Sequence, residues 1–128
     1  MVHAKASIGT TNYTVSITAG HHQLTADESM KLGGKDVGPA PYELLCSALC
    51  ACTAITLRMY AERKAWPLRG VHVDVRFEWK GKEGAIARVL SFEGELDDEQ
   101  RARLADIAER TPVTLTLKQG VVITTSVV

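Results

Sequence analysis

The sequence predicts an α+β fold in which antiparallel sheet surrounds one long apolar helix, and three observations carry that expectation. Residues Gly38 to Cys52, GPAPYELLCSALCAC, place a proline-led helix start before an almost unbroken apolar run. Val71, Val73, Val75, Phe77 and Trp79 alternate strictly with His72, Asp74, Arg76, Glu78 and Lys80, the period of a half-buried strand. Strands are grouped before and between helices instead of alternating with them one for one, which argues against a parallel α/β sheet.

The elements follow in chain order. Ala4 to Ala26 mixes β-branched and small polar residues with turn signals at Gly9 to Asn12 and at Gly20, predicting two or three short antiparallel strands. Ser29 to Gly38 carries three glycines without periodicity and reads as a loop. From Tyr42 to about Lys64, apolar residues occupy almost every face until Arg58, so the helix is expected to be enclosed by the rest of the fold. At about 100° per residue, Leu45, Leu49, Cys52, Thr56 and Met59 share an expected dry stripe. Glu43, Ser47, Cys50, Ala54 and Arg58 share a wetter one.

Gly81 to Gly84 turns the alternating strand into a second, roughly Ile86 to Leu96, forming a hairpin. Asp97 and Gln100 form a capping pair for a helix over Asp97 to Arg110, with Leu104, Ile107 and Ala108 as its apolar stripe. Pro112 interrupts that helix, a short turn runs through Leu117, and Val121 to Val128 reads as a last strand.

Length and composition bound the function. At 128 residues, 45% hydrophobic and 23% charged, the chain fits a single domain over 1–128. Its formal net charge is zero and its charges are interspersed, so no footprint for nucleic acid or an anionic membrane is present. The first residues show no basic and then apolar leader, and no apolar run is expected to reach the roughly 20 residues of a membrane span. The expected location is the cytoplasm. Three cysteines within seven positions suit no disulfide framework and agree with a reducing compartment.

Cys52 is the residue on which chemistry turns. A buried cysteine is commonly a small hydrophobe, and Cys46 and Cys50 read as packing residues. Cys50 and Cys52 differ by about 200° around a helix, and Cys46 and Cys52 by about 240°, so neither pair meets within it. Cys46 and Cys50 lie one turn apart, but a disulfide between them would strain the helix. Glu43, in the first turn, complements the helix dipole or belongs to a site. Tyr42 is a lid on a pocket or a surface staple. His21 and His22 with Cys46 and Cys50 match no recognised zinc spacing, and adjacent strand histidines point to opposite faces, so neither metal nor cofactor is expected.

Three segments carry a family resemblance: GGKDVGPAPYELLCSALCACTAITLRMYAE from Gly33 to Glu62, the Leu68 to Val75 strand after Trp66-Pro67, and AERTPVTLTL from Ala108 to Leu117. Together they resemble the OsmC/Ohr group of small intertwined dimeric thiol peroxidases, the osmotically induced and organic hydroperoxide resistance proteins. The resemblance implies an OsmC-like fold, with antiparallel sheets wrapped around a buried central helix, and a homodimer. It also implies reduction of organic hydroperoxides, with Cys52 as attacking thiol and a second, resolving cysteine at the position held here by Thr111. The family's acidic partner follows the helix-start proline, where this chain has Tyr42 and then Glu43. Its arginine comes from the turn after the first strand, but Gly9 to Asn12 contains no basic residue. Lys31 and Lys35 are the nearest cations in sequence.

Two readings result. In one, Cys52 reduces an organic hydroperoxide in an apolar pocket at the dimer interface, and an external small thiol or protein regenerates it. In the other, the dimer binds a small apolar ligand or serves as a structural module without catalysis.

Overall fold

The computed structural model describes residues 1–128 and confirms the α+β class. The chain divides into two compact units, Met1–Leu45 and Cys46–Val128.

The first unit is a three-stranded antiparallel meander, β1 (Ala4–Ile8), β2 (Val15–Ala19) and β3 (His22–Ala26), in the order β1-β2-β3. A short 3₁₀ turn, Met30–Leu32, follows. The Ser29–Gly38 loop, glycine-rich and aperiodic, is organised by Asp27, only 2% exposed. Its carboxylate accepts from the backbone amides of Tyr13 (3.1 Å), Glu28 (2.7 Å), Lys35 (3.1 Å) and Val37 (3.3 Å). Burial pushes the Asp27 pKa up, but the four amide donors outweigh it and hold the group below its ordinary value. Gly34 is required here, because a Cβ would collide with the Glu28 carbonyl oxygen. His21 lies in the turn and His22 begins β3. Their rings lie side by side, tilted by 36° with centroids 4.1 Å apart, which corrects the expectation of opposite faces.

Helix α1 (Pro41–Lys64) begins in this unit. The Ala40 amide donates to Glu43 Oε1 at 2.9 Å, so Glu43 closes the first turn.

In the second unit, β4 (Gly70–Lys80) and β5 (Glu83–Glu93) form the antiparallel hairpin the alternation predicts, with Val75 opposite Arg88 and Lys80 opposite Glu83. Gly81, at φ 65°, supplies the left-handed residue of the two-residue connection. Helix α2 (Asp98–Ala108) carries the expected capping box: Gln100 N donates to Asp97 Oδ1 (2.7 Å) and Asp97 N to Gln100 Oε1 (2.9 Å). Leu57 and Ala61 of α1, Leu68, Leu96, and Leu104 and Ala108 of α2 make the core, flanked by Val71, Leu90, Phe92 and Ile107.

Expectations about α1 are corrected. The buried stripe of α1 is Leu49, Thr53, Leu57 and Ala61, not the stripe ending at Met59, which is 58% exposed. Opposite it, Ala51, Ile55 and Met59 face outward, so the single chain does not enclose the helix. By length and composition α1 could cross a membrane, contrary to the reading of the runs, although its buried stripe packs within the fold.

The C-terminus also differs from expectation. Pro112 does not merely interrupt a helix but starts another, α3 (Pro112–Gln119), with Thr111 as N-cap. Val121–Val128 has no regular structure and is exposed throughout. Its β-branched residues suit a strand, but no neighbouring strand of the chain offers it a ladder.

Candidate functional site

Cys52 lies midway along α1, partly buried, with its sulfur facing the start of α3. The Val113 amide donates to Cys52 Sγ at 3.5 Å, and the Thr56 hydroxyl lies 3.9 Å from the same sulfur. Val113 follows Pro112 in the first turn of α3, where backbone N–H groups have no partner within the helix. The contact thus supplies both a donor and the positive end of a helix dipole to the thiol.

The amino end of α3 is fixed by its cap. Thr111 is extended, fully buried, and accepts from Thr114 N at 3.4 Å, and the Thr111 and Thr114 hydroxyl oxygens are 2.6 Å apart. Pro112 has no N–H to satisfy at this position. Position 111 is therefore occupied by a capping hydroxyl, and no second cysteine lies on α3.

Arg88 is the site residue that sequence reasoning missed. It comes from β5, with only 11% of its side chain exposed. Nη1 donates to Thr53 Oγ1 and Thr114 Oγ1, both at 3.0 Å. Nη2 donates to the Ala108 carbonyl at 2.8 Å and to Glu109 Oε2 at 3.3 Å. Thr53, next to Cys52, also donates to Leu49 O at 2.7 Å. Glu109 pairs with Lys118 at 3.1 Å, and this bond, then the charges of Lys118 and Arg88, hold its carboxyl below the usual range against some desolvation. A signal was present. Ile86, Leu90 and Phe92 mark the inward row of β5, and Arg88 falls in the same period-two row, where a charge must be fully bonded.

Cys50 points elsewhere, its thiol donating to Val73 O at 3.8 Å. Burial, followed by the nearby Cys46 and Asp74, pushes this thiol's pKa up, so it is a poor nucleophile. All three cysteines are free. Tyr42 and Glu43 stand in the first turn of α1, well before Cys52, with Tyr42 49% exposed and Glu43 engaged at the helix start. The cation bonded to the neighbour of Cys52 is Arg88, where the sequence had offered only Lys31 and Lys35. No group of three or more His, Cys, Asp or Glu side chains converges as a metal site would require.

A family model described as OsmC-like protein matches residues 33–126. The chain belongs to the OsmC family. Solved structures share the fold of this OsmC-family chain. An OsmC-like protein from Mycoplasma pneumoniae is 18% identical with a TM-score of 0.77, covering 92% of this chain and 87% of that one. An organic hydroperoxide resistance protein OsmC from Legionella pneumophila is 22% identical with a TM-score of 0.70, covering 92% and 89%. The organic hydroperoxide resistance protein OhrB of Bacillus subtilis is 19% identical with a TM-score of 0.63, covering 91% and 90%. No protein of curated function matches the OsmC-family sequence.

Proposed function

We propose that this OsmC-family protein is a thiol peroxidase that reduces organic hydroperoxides with Cys52 alone. The observation that carries the reading is the Val113 N–H directed at Cys52 Sγ from the positive end of α3. Such chemistry needs a sulfur nucleophile held in place, and the Val113 amide fixes the position of the Cys52 sulfur. The names of the Legionella and Bacillus proteins, both organic hydroperoxide resistance proteins, support the substrate class.

The Cys52 thiolate attacks the outer peroxide oxygen, the O–O bond breaks, and the alkoxide leaves and takes a proton as alcohol. Cysteine sulfenic acid remains, having gained the oxygen. Thr111 cannot resolve it, because a hydroxyl forms no disulfide. An external thiol condenses with the sulfenic acid, releasing water and leaving a mixed disulfide. A second external thiol attacks the mixed disulfide, releases Cys52 as the free thiol and leaves the two external thiols joined as a disulfide, so that they supply the two electrons that reduced the peroxide. No cofactor enters this cycle.

The working form is a homodimer. The outward stripe of Ala51, Ile55 and Met59 and the exposed apolar residues of Val121–Val128 are surfaces that a second copy would cover. A cytoplasmic, reducing compartment suits three free thiols.

The test is steady-state consumption of cumene hydroperoxide with excess dithiothreitol. Turnover by the wild type and none by Cys52→Ser is expected. Equal, background-level consumption by both would leave a dimer that binds an apolar ligand without catalysis.

A further inference from the structure

We infer that Arg88 is a positioning residue that holds the amino end of α3 against Cys52, and so sets the reactivity of the thiol. The inference rests on the reading of Cys52 as the attacking thiol and concerns how the chain keeps its sulfur activated.

The geometry is a single guanidinium bridging three helices from β5. Through Thr53 it grips the turn of α1 that carries Cys52. Through Thr114 it grips the first turn of α3, which presents the Val113 amide. Through the Ala108 carbonyl it holds the last residue of α2, whose chain leads by two residues into the Thr111 cap. Thr114 completes the path, since its hydroxyl also meets Thr111 Oγ1 and donates to Ala108 O at 3.3 Å.

Such a bridge needs arginine. A planar fork carries five fixed donors and can satisfy three acceptors on separate helices at once, whereas a lysine ammonium is a single point on a flexible stem. Burial raises the stakes, because Thr53 and Thr114 are themselves buried and lose a partner when the fork is withdrawn. The guanidinium's hydrogen bonds go to Thr53, Thr114, Ala108 and Glu109, so its effect on Cys52 passes through the placement of α3.

The experiment compares wild type, Arg88→Met, Thr114→Val and Thr114→Ser. Thr114→Val is nearly isosteric and removes the acceptor by which Arg88 grips α3, together with the hydroxyl's contacts to Thr111 and Ala108, while Thr114→Ser keeps the hydroxyl. Two quantities are read: the rate of Cys52 alkylation by iodoacetamide, followed on its own peptide, and the change in the Val113 amide resonance on Cys52→Ser in each background. Arg88→Met and Thr114→Val are expected to slow Cys52 alkylation about tenfold, the order of the one hydrogen bond to sulfur that both would release. They should also abolish the response of the Val113 resonance to Cys52→Ser, with Thr114→Ser behaving as wild type. If Arg88→Met fails to fold, Thr114→Val decides. A folded Thr114→Val protein with the wild-type rate and Val113 response overturns the inference. A wild-type Cys52 that alkylates no faster than an ordinary thiol, with the Val113 response still dependent on Thr114, would sink the peroxidase reading but leave Arg88 as the positioning residue.

Discussion

The Val113 amide donates to Cys52 Sγ over 3.5 Å, joining the start of α3 to the middle of α1. The two residues are 61 positions apart, and what brings them together is the Thr111 cap and the Arg88 fork. The residue that caps the helix occupies the position where the family resemblance implies a resolving cysteine. With Thr111 as the cap, the start of α3 approaches the thiol without a second sulfur beside it.

Restoring that sulfur should change the fate of the oxidised thiol. In Thr111→Cys, one equivalent of cumene hydroperoxide is expected to consume two thiols and yield an intrachain disulfide, where the wild type yields sulfenic acid or an adduct with added small thiol. Thiol titration and non-reducing peptide mapping check it. The substitution also removes the oxygen cap, so a loss of about 1 kcal/mol in stability by urea denaturation is expected alongside.

Asp27 should make stability depend on acid. Its folded pKa lies below its ordinary 3.8, so its contribution is complete above that value and disappears as pH falls through the lower, folded value. Urea midpoints for the wild type are expected to fall as the pH drops below about 4, with part of that slope absent in Asp27→Asn. At pH 7 the variant should be the less stable of the two, since an amide nitrogen cannot accept from the amides that the second carboxylate oxygen serves.

The core and the outward face of α1 should respond differently to truncation. Leu57 is fully buried beside Leu68 and Leu104, and Leu57→Ala is expected to cost about 2–5 kcal/mol by urea denaturation at any protein concentration.

Ile55, 53% exposed in the single chain, tests the dimer. Ile55→Asp should leave the far-ultraviolet circular dichroism of the chain unchanged at low concentration while sedimentation velocity shows a shift from dimer to monomer. A wild type that sediments as a monomer would remove the need for a covering partner.

Much of the fold was legible because short-range rules decide it. Alternation from Val71 to Trp79 fixed the hairpin, and Asp97 with Gln100 marked the start of α2, since both patterns are satisfied by neighbours a few residues away. Thr111-Pro112 carried an equally local signal, a capping hydroxyl before a first-turn proline, but the proline reads more readily as a stop. Val121–Val128 shows the opposite failure: composition states what a strand would use, and a strand exists only where another offers a ladder. The stripe of α1 was ambiguous because apolar residues on all sides leave no amphipathic contrast, and Thr53 owes its burial to a bonded partner 35 residues away. Cys52 and Thr111 were identified as a related pair by resemblance. Arg88 was hidden as one polar residue in a strand, although its place in the row of Ile86, Leu90 and Phe92 marked it as an inward charge.

The most direct measurement is a single turnover. Fully reduced protein is mixed with one equivalent of cumene hydroperoxide, and intact mass and peptide mass spectrometry follow each cysteine, with Cys52→Ser alongside. A peroxidase working through Cys52 should gain one oxygen rapidly at Cys52 alone, convert to a mixed disulfide when a small thiol is added, and lose both events in Cys52→Ser. Oxidation of Cys52 no faster than that of Cys46 or Cys50 would contradict it.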